Sequence, residues 1–193
     1  MTLPENFASL QAPLAALQRL LSRFDERGVV IGGVAIGFLG KPRMTVDIDA
    51  VFLLSVNDLP KLLQTAKEEG IEPRIESAEV FARKNRVLLL WHVESGINID
   101  ISLGVLPFEE EMVERSTIHK VGELSVRLPT PEDMIILKAV AHRPKDLLDI
   151  QAIVDSHPNI DHARIEQWVI SFAEALETPE LWGQINDILL NKA

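Results

Sequence analysis

With 193 residues, 47% of them apolar, the chain can fill a sizeable core, which excludes a disordered segment and suits one domain or a catalytic domain with a helical appendix. It has no cysteine, so a disulfide scaffold, a thiolate nucleophile and any Cys-containing zinc site are excluded. A formal net charge of −10 argues against a protein that coats nucleic acid through general phosphate contacts.

The opening residues, Met1 to Asn6, lack a basic start followed by an apolar run, and no uninterrupted apolar stretch is long enough to span a membrane. A cytoplasmic protein without a secretory signal is the expectation. Residues from about Ala8 to Arg27 carry Leu10, Leu14, Leu17, Leu20, Leu21 and Phe24 at helical spacing, and Gly28 is expected to end that amphipathic helix. Val29 to Ile31 then enters a sheet. Gly32-Gly33 opens a short apolar helix to about Leu39, and Gly40-Lys41-Pro42 is a turn. A central strand is predicted from about Thr45 to Leu54, and a second helix from Ser55 to Gly70, with Leu59, Leu62, Leu63 and Ala66 on its apolar face. Val87 to Val93 and Ile97 to Leu103 read as a hairpin around Glu94-Ser95-Gly96. A second β-rich pair, Ser116 to Val121 and Leu124 to Leu128 around Gly122-Glu123, is expected to extend the same sheet.

From Thr130 the pattern is helical to the end. Thr130 suits an N-cap, Pro131 the first helical position, and Glu132 and Asp133 the positive end of the dipole. That helix reaches His142, Pro144 interrupts it, and Lys145 to Asp155 resumes. Helices over about Asp161 to Leu176 and Pro179 to Leu190 follow.

Chemistry concentrates in the central strand. Strand side chains alternate, so Asp47 and Asp49 share one face while Val46, Ile48 and Ala50 point into a core. Two neighbouring carboxylates repel unless a cation lies between them, and oxygen donors of this kind suit Mg²⁺, with Mn²⁺ as a substitute. Upstream, Gly32 and Gly33 lack Cβ atoms and stand at a helix start, where backbone N–H groups and the dipole favour a phosphate. A nucleoside triphosphate held there would place its Mg²⁺ on the next strand. Lys138 sits on or beside the apolar face of its helix, so its ammonium either snorkels outward or enters a polar cavity, where it would stabilise a triphosphate. His92 and His142 read as structural, and Trp91, Trp168 and Trp182 as core or interface anchors, since no aromatic series spaced for base stacking occurs.

Gly-Gly, thirteen residues, then Asp-x-Asp between β-formers resembles the signature of the DNA polymerase β-like nucleotidyltransferase superfamily. That resemblance implies a third carboxylate on an adjacent strand, and Asp100 in Asn98-Ile99-Asp100-Ile101-Ser102 supplies one. Asp47 and Asp49 would then bridge two metal ions, and Asp100 would help deprotonate the incoming hydroxyl or act as its general base. Arg43, Thr45, Asp47 and Asp49, together with Thr130-Pro131-Glu132-Asp133, Lys138, Lys145-Asp146 and Asp149-Ile150, resemble the AbiEii-type nucleotidyltransferases, many of them toxins of toxin–antitoxin systems. Carried over by position, this implies nucleotide contacts from Gly32, Gly33, Arg43, Thr45 and Lys138, with Asp146 or Asp149 as the later acidic position. Asp146 and Asp149 lie three apart on one helix face, so either would orient Lys138 or Arg43. One departure is that Val34 stands where a Thr or Ser commonly follows the diglycine.

The resulting expectation is an α+β nucleotidyltransferase fold, a small mixed β-sheet flanked by helices. A catalytic domain over 1–129 is followed by a helical region over 130–193 packed on the active-site cleft. Its expected chemistry is Mg²⁺-dependent transfer of a nucleoside monophosphate from an NTP to an acceptor hydroxyl. An RNA 3′ end, tRNA especially, is the favoured acceptor, with a protein side chain or small molecule close behind. Of the 19 Lys and Arg residues, 14 fall between Lys41 and Lys145, which leaves room for a local basic cleft despite the acidic whole. Two rivals are a non-catalytic nucleotide-binding protein or partner in a toxin–antitoxin pair, and an aminoglycoside-type small-molecule nucleotidyltransferase with an acidic pocket.

Overall fold

β-branched and aliphatic runs in the first two-thirds of the chain assemble as a five-stranded mixed sheet, and the last third is helical. The computed structural model describes residues 5–41, 44–121 and 124–190. Pro42 of the expected turn, Arg43, and the Gly122-Glu123 turn lie outside the described residues. The chain divides into two units, Met1–Val34 with Arg43–Leu128, and Ala35–Pro42 with Pro129–Ala193.

In the first unit a 3₁₀ turn (Glu5–Leu10) leads into α1 (Gln11–Ser22), which buries Leu14, Leu17, Leu20 and Leu21. The helix stops short of the expected Arg27, because Asp25 (φ 55°) and Glu26 (φ 56°) take the left-handed conformation. Gly28 is therefore not the helix stop; it begins β1 (Gly28–Ile31). A glycine is needed there for close approach, since a Cβ would lie 2.5 Å from the Val51 carbonyl oxygen.

α2 (Gly32–Leu39) follows directly, and β2 (Asp47–Phe52) begins two residues later than expected. Ser55 caps a short 3₁₀ turn that runs into α3 (Leu59–Glu68). Two elements not anticipated come next, β3 (Ile71–Pro73) and α4 (Ala78–Asn85). β4 (Val87–His92) and β5 (Asn98–Leu103) form the expected hairpin.

The strand order is β1-β2-β5-β4-β3. β2 and β5 are parallel, and the other neighbours are antiparallel. One face of the sheet carries Val30, Ile48, Ala50, Phe52, Ile99, Ile101, Leu103, Leu88 and Leu90, all buried. α3 and α4 pack on β3 and β4.

α5 (Pro107–Arg115), also not anticipated, starts at a proline and a cap in which Glu109 Oε2 accepts from the Val105 and Leu106 N–H groups at 2.7 and 2.9 Å. β6 (Thr117–Val121) and β7 (Leu124–Leu128) do not extend the main sheet but form a sheet of two. β7 packs on α1 and β1, and the Arg127 N–H is taken by the Gln18 side-chain oxygen at 3.3 Å.

The second unit joins the end of α2 to α6 (Pro131–Ala141), α7 (Pro144–Ser156), α8 (His162–Ala175) and α9 (Leu181–Leu190). Thr130 caps α6 by accepting from the Asp133 N–H at 3.2 Å, and Asp161 caps α8 by accepting from Arg164 N–H at 3.1 Å. α6 packs on α7 and α8, and α9 on the same two. Arg164 Nε donates to the buried Asp133 at 2.8 Å, which ties α8 to α6. Among the described residues no helix is long and apolar enough to cross a membrane.

Candidate active site

Period-two alternation places the acidic residues on the face of the sheet opposite its apolar core. β2 and β5 pair in a register that sets Asp49 beside Asp100 and Asp47 beside Asn98. Neighbouring strands lie about 4.8 Å apart, so the Asp49 and Asp100 side chains stand next to each other. Asp47 is exposed, and Asp49 and Asp100 are half-buried. β4 continues the first row with Leu89, opposite Asp100. The Arg74 N–H donates to the Leu89 carbonyl at 3.1 Å and adds a residue at the row's end. The second row runs Asp47, Asn98, Trp91, Glu72.

Each carboxylate has its own support. Thr45, itself buried, donates from Oγ1 to Asp47 Oδ1 at 3.1 Å. Asp49 lies over Gly32 so closely that a Cβ there would sit 2.0 Å from Asp49 Oδ2. Gly32 also holds φ +66°, a conformation glycine takes at no steric cost, and it is the first residue of α2 with Gly33 behind it. Gly32 is thus a close-approach device for a carboxylate as well as a helix start. Asp100 Oδ1 accepts from a terminal nitrogen of Arg74 at 2.7 Å.

Arg74 is the site residue that sequence reasoning missed. Its place depends on the pairing of a three-residue strand ending in proline, which carries no periodic signal. Arg43 lies outside the described residues. Val34 is fully buried, so the side chain at the departure from the resembled pattern faces the core. Trp91 is not a core anchor; it is 37% exposed on the acidic face. His92 is buried in the β4–β5 turn against Ser95 Oγ at 2.9 Å.

Asp47, Asp49 and Asp100 offer hard oxygen donors alone, a set whose chemistry fits Mg²⁺ or Mn²⁺. Among the described residues no three His, Cys, Asp or Glu side chains are drawn into one ligand cluster, and Asp100 is engaged by Arg74 instead.

The other predicted residues gather in the second unit. Lys138 on α6 is buried, and its Nζ bonds Asp146 Oδ1 at 2.8 Å and Asp149 Oδ2 at 2.9 Å, both on the first two turns of α7. Asp146 Oδ2 also accepts from the Arg143 backbone N–H at 3.1 Å and from Arg143 Nε at 2.6 Å. Burial alone would push the Asp146 carboxyl up. The hydrogen bonds from Arg143 and Lys138, the Lys138 charge and the Arg143 N–H together outweigh it and bring the group down to about 2. His142 is the left-handed cap that ends α6 (φ 48°) just before this cluster.

The sequence matches, over residues 15–187, the family model described as nucleotidyl transferase AbiEii toxin, type IV TA system. No curated protein matches it. The fold is similar to the crystal structure of an antigenic nucleotidyltransferase-like protein from Paracoccidioides brasiliensis, with a TM-score of 0.56, 15% identity and 92% of each chain covered. At that identity the likeness speaks for the fold.

Proposed function

The chain belongs to the AbiEii nucleotidyltransferase toxin family, and from that membership we propose that it transfers a nucleoside monophosphate from an NTP to an acceptor hydroxyl. The observation that carries this reading is the acidic face: Asp47, Asp49 and Asp100 in register on β2 and β5, with Asp49 seated over Gly32 at the start of α2. Asp47, Asp49 and Asp100 would hold Mg²⁺ or Mn²⁺, which when bound neutralises phosphate charge and acidifies a hydroxyl.

The chain's own residues do the rest. Thr45 fixes the Asp47 carboxylate, and Gly32 leaves Asp49 room to stand close to the helix start, where N–H groups and the dipole favour a phosphate. Asp100 takes the proton of the acceptor hydroxyl as its oxygen attacks the α-phosphorus. The bond from that phosphorus to its bridging oxygen breaks, and pyrophosphate leaves with the electron pair. Positioning and charge neutralisation supply most of the rate in such transfers. Lys138, held by Asp146 and Asp149, is a family-implied contact to the nucleotide, as are Gly32, Gly33, Arg43 and Thr45. The favoured acceptor is an RNA 3′ end, tRNA especially, and family membership supports a cognate antitoxin as the functional partner.

The test is incubation with Mg²⁺ and each α-labelled NTP, with and without total RNA, beside an Asp47→Ala, Asp49→Ala variant. Label appearing on RNA, or on the protein itself, and absent with the variant is the expected result. No label with any NTP, while the wild type still binds the metal–nucleotide pair, would reduce the protein to a nucleotide-binding partner.

A further inference from the structure

Three carboxylates on one face of two adjacent strands repel one another, and something positive has to answer them. Among the described residues, Arg74 does this for Asp100 through a 2.7 Å hydrogen bond between its guanidinium and Asp100 Oδ1. The backbone of Arg74 is pinned beside Leu89, but the side chain reaches Asp100 across that leucine as a flexible arm. The two partners are 28% and 33% exposed, so solvent screens the pair and it exchanges at modest cost. The contrast within the same molecule is Lys138, 6% exposed between two buried carboxylates, where any loss of the cation is costly.

We propose that Arg74 is the resident counter-ion of the third carboxylate: it holds Asp100 in the free protein and competes with a divalent cation for it. The proposal rests on the reading of the acidic face as a metal site. Binding of the cation to Asp47 and Asp49 draws Asp100 into the ligand set and releases the guanidinium. Arg74 is thereby a positioning residue, which sets how much free divalent ion is required before the third carboxylate joins.

The experiment is a titration of Mn²⁺ alone, without nucleotide, followed by calorimetry or by the electron paramagnetic signal of free Mn²⁺. It uses the full chain as wild type, Arg74→Gln, Arg74→Lys, Asp100→Asn and the Arg74→Gln, Asp100→Asn double variant. Arg74→Gln is expected to tighten Mn²⁺ binding by roughly five- to tenfold, the scale of a partly exposed charged hydrogen bond, and Arg74→Lys to stay near wild type. In the Asp100→Asn background the Arg74→Gln change is expected to have no effect, which separates competition at Asp100 from a general loss of positive charge. If Arg74 only braces the edge of the sheet, Arg74→Gln lowers the unfolding midpoint and leaves Mn²⁺ affinity unchanged, and the proposal is overturned. Tightening that persists in the Asp100→Asn background overturns it as well. An Asp47→Ala, Asp49→Ala control that still binds Mn²⁺ as wild type does, or a wild type that binds none, removes the metal site itself and the proposal with it.

Discussion

A methyl group at position 32 would stand 2.0 Å from Asp49 Oδ2, on a backbone held at φ +66°. Alanine meets both demands only at a cost. The left-handed conformation alone costs an L-residue about 1–2 kcal/mol, and the clash is relieved by pushing the Asp49 carboxylate away from the start of α2. Gly32→Ala is therefore expected to lower unfolding stability by about 2 kcal/mol, and to reduce nucleotidyl transfer on the order of a hundredfold, since displacement of a reacting group by an ångström has that effect. Urea unfolding and single-turnover transfer measured on the same preparation check both halves. A variant that is destabilised yet fully active would show that Asp49 has no part in the reaction. At this scale the sequence is a good guide where chemistry repeats with strand period: Asp47, Asp49 and Asp100 fall on one face because alternation puts them there. It is a poor guide where a residue acts across the sheet. Arg74 meets Asp100 only through the register of β3 on β4, and no local pattern encodes that register.

Elements show the same division. The α6 signals of Thr130, Pro131 and the following acidic residues are local capping chemistry, and the helix starts where they indicate. Gly28 matches the composition of a helix stop, but Asp25 and Glu26 take up the left-handed turn, and the glycine is reserved for the approach of β2. α4 and α5 span eight and nine residues and bury only two and three side chains respectively, too few for a periodic stripe. The α6–α7 pair has its own lock in Lys138, whose ammonium is shared by Asp146 and Asp149. Lys138→Met keeps the apolar stem and removes the charge, leaving two buried carboxylates without their common cation. A loss of about 3–5 kcal/mol in unfolding stability is expected, together with weaker nucleotide binding. Undiminished stability with weakened nucleotide binding would mean that the ammonium serves the ligand alone.

For the molecule as a whole, a net charge of −10 makes acid the informative perturbation, because carboxylates held ionised by the fold are what protonation undoes. Asp146 is such a carboxylate. Its folded-state pKa of about 2 lies below the ordinary 3.8, so its contribution is complete above about pH 4 and is lost as pH falls through about 2. The linked free energy is about 2 kcal/mol. Other carboxylates titrate over the same interval, so the measurement is a difference between wild type and Asp146→Asn. The stability gap between the two is expected to be widest at pH 5 to 7 and to narrow by about 2 kcal/mol on acidification to pH 2. Trp168 and Trp182 lie in the helical unit and Trp91 in the sheet unit, so urea unfolding in a Trp91→Phe background reads the helical unit by itself. A gap that is constant from pH 7 to pH 2 would mean that Asp146 is not held ionised by Lys138 and Arg143. The bonds from Arg143 to Asp146 at the start of α7 would then be a matter of hydrogen-bond geometry without charge.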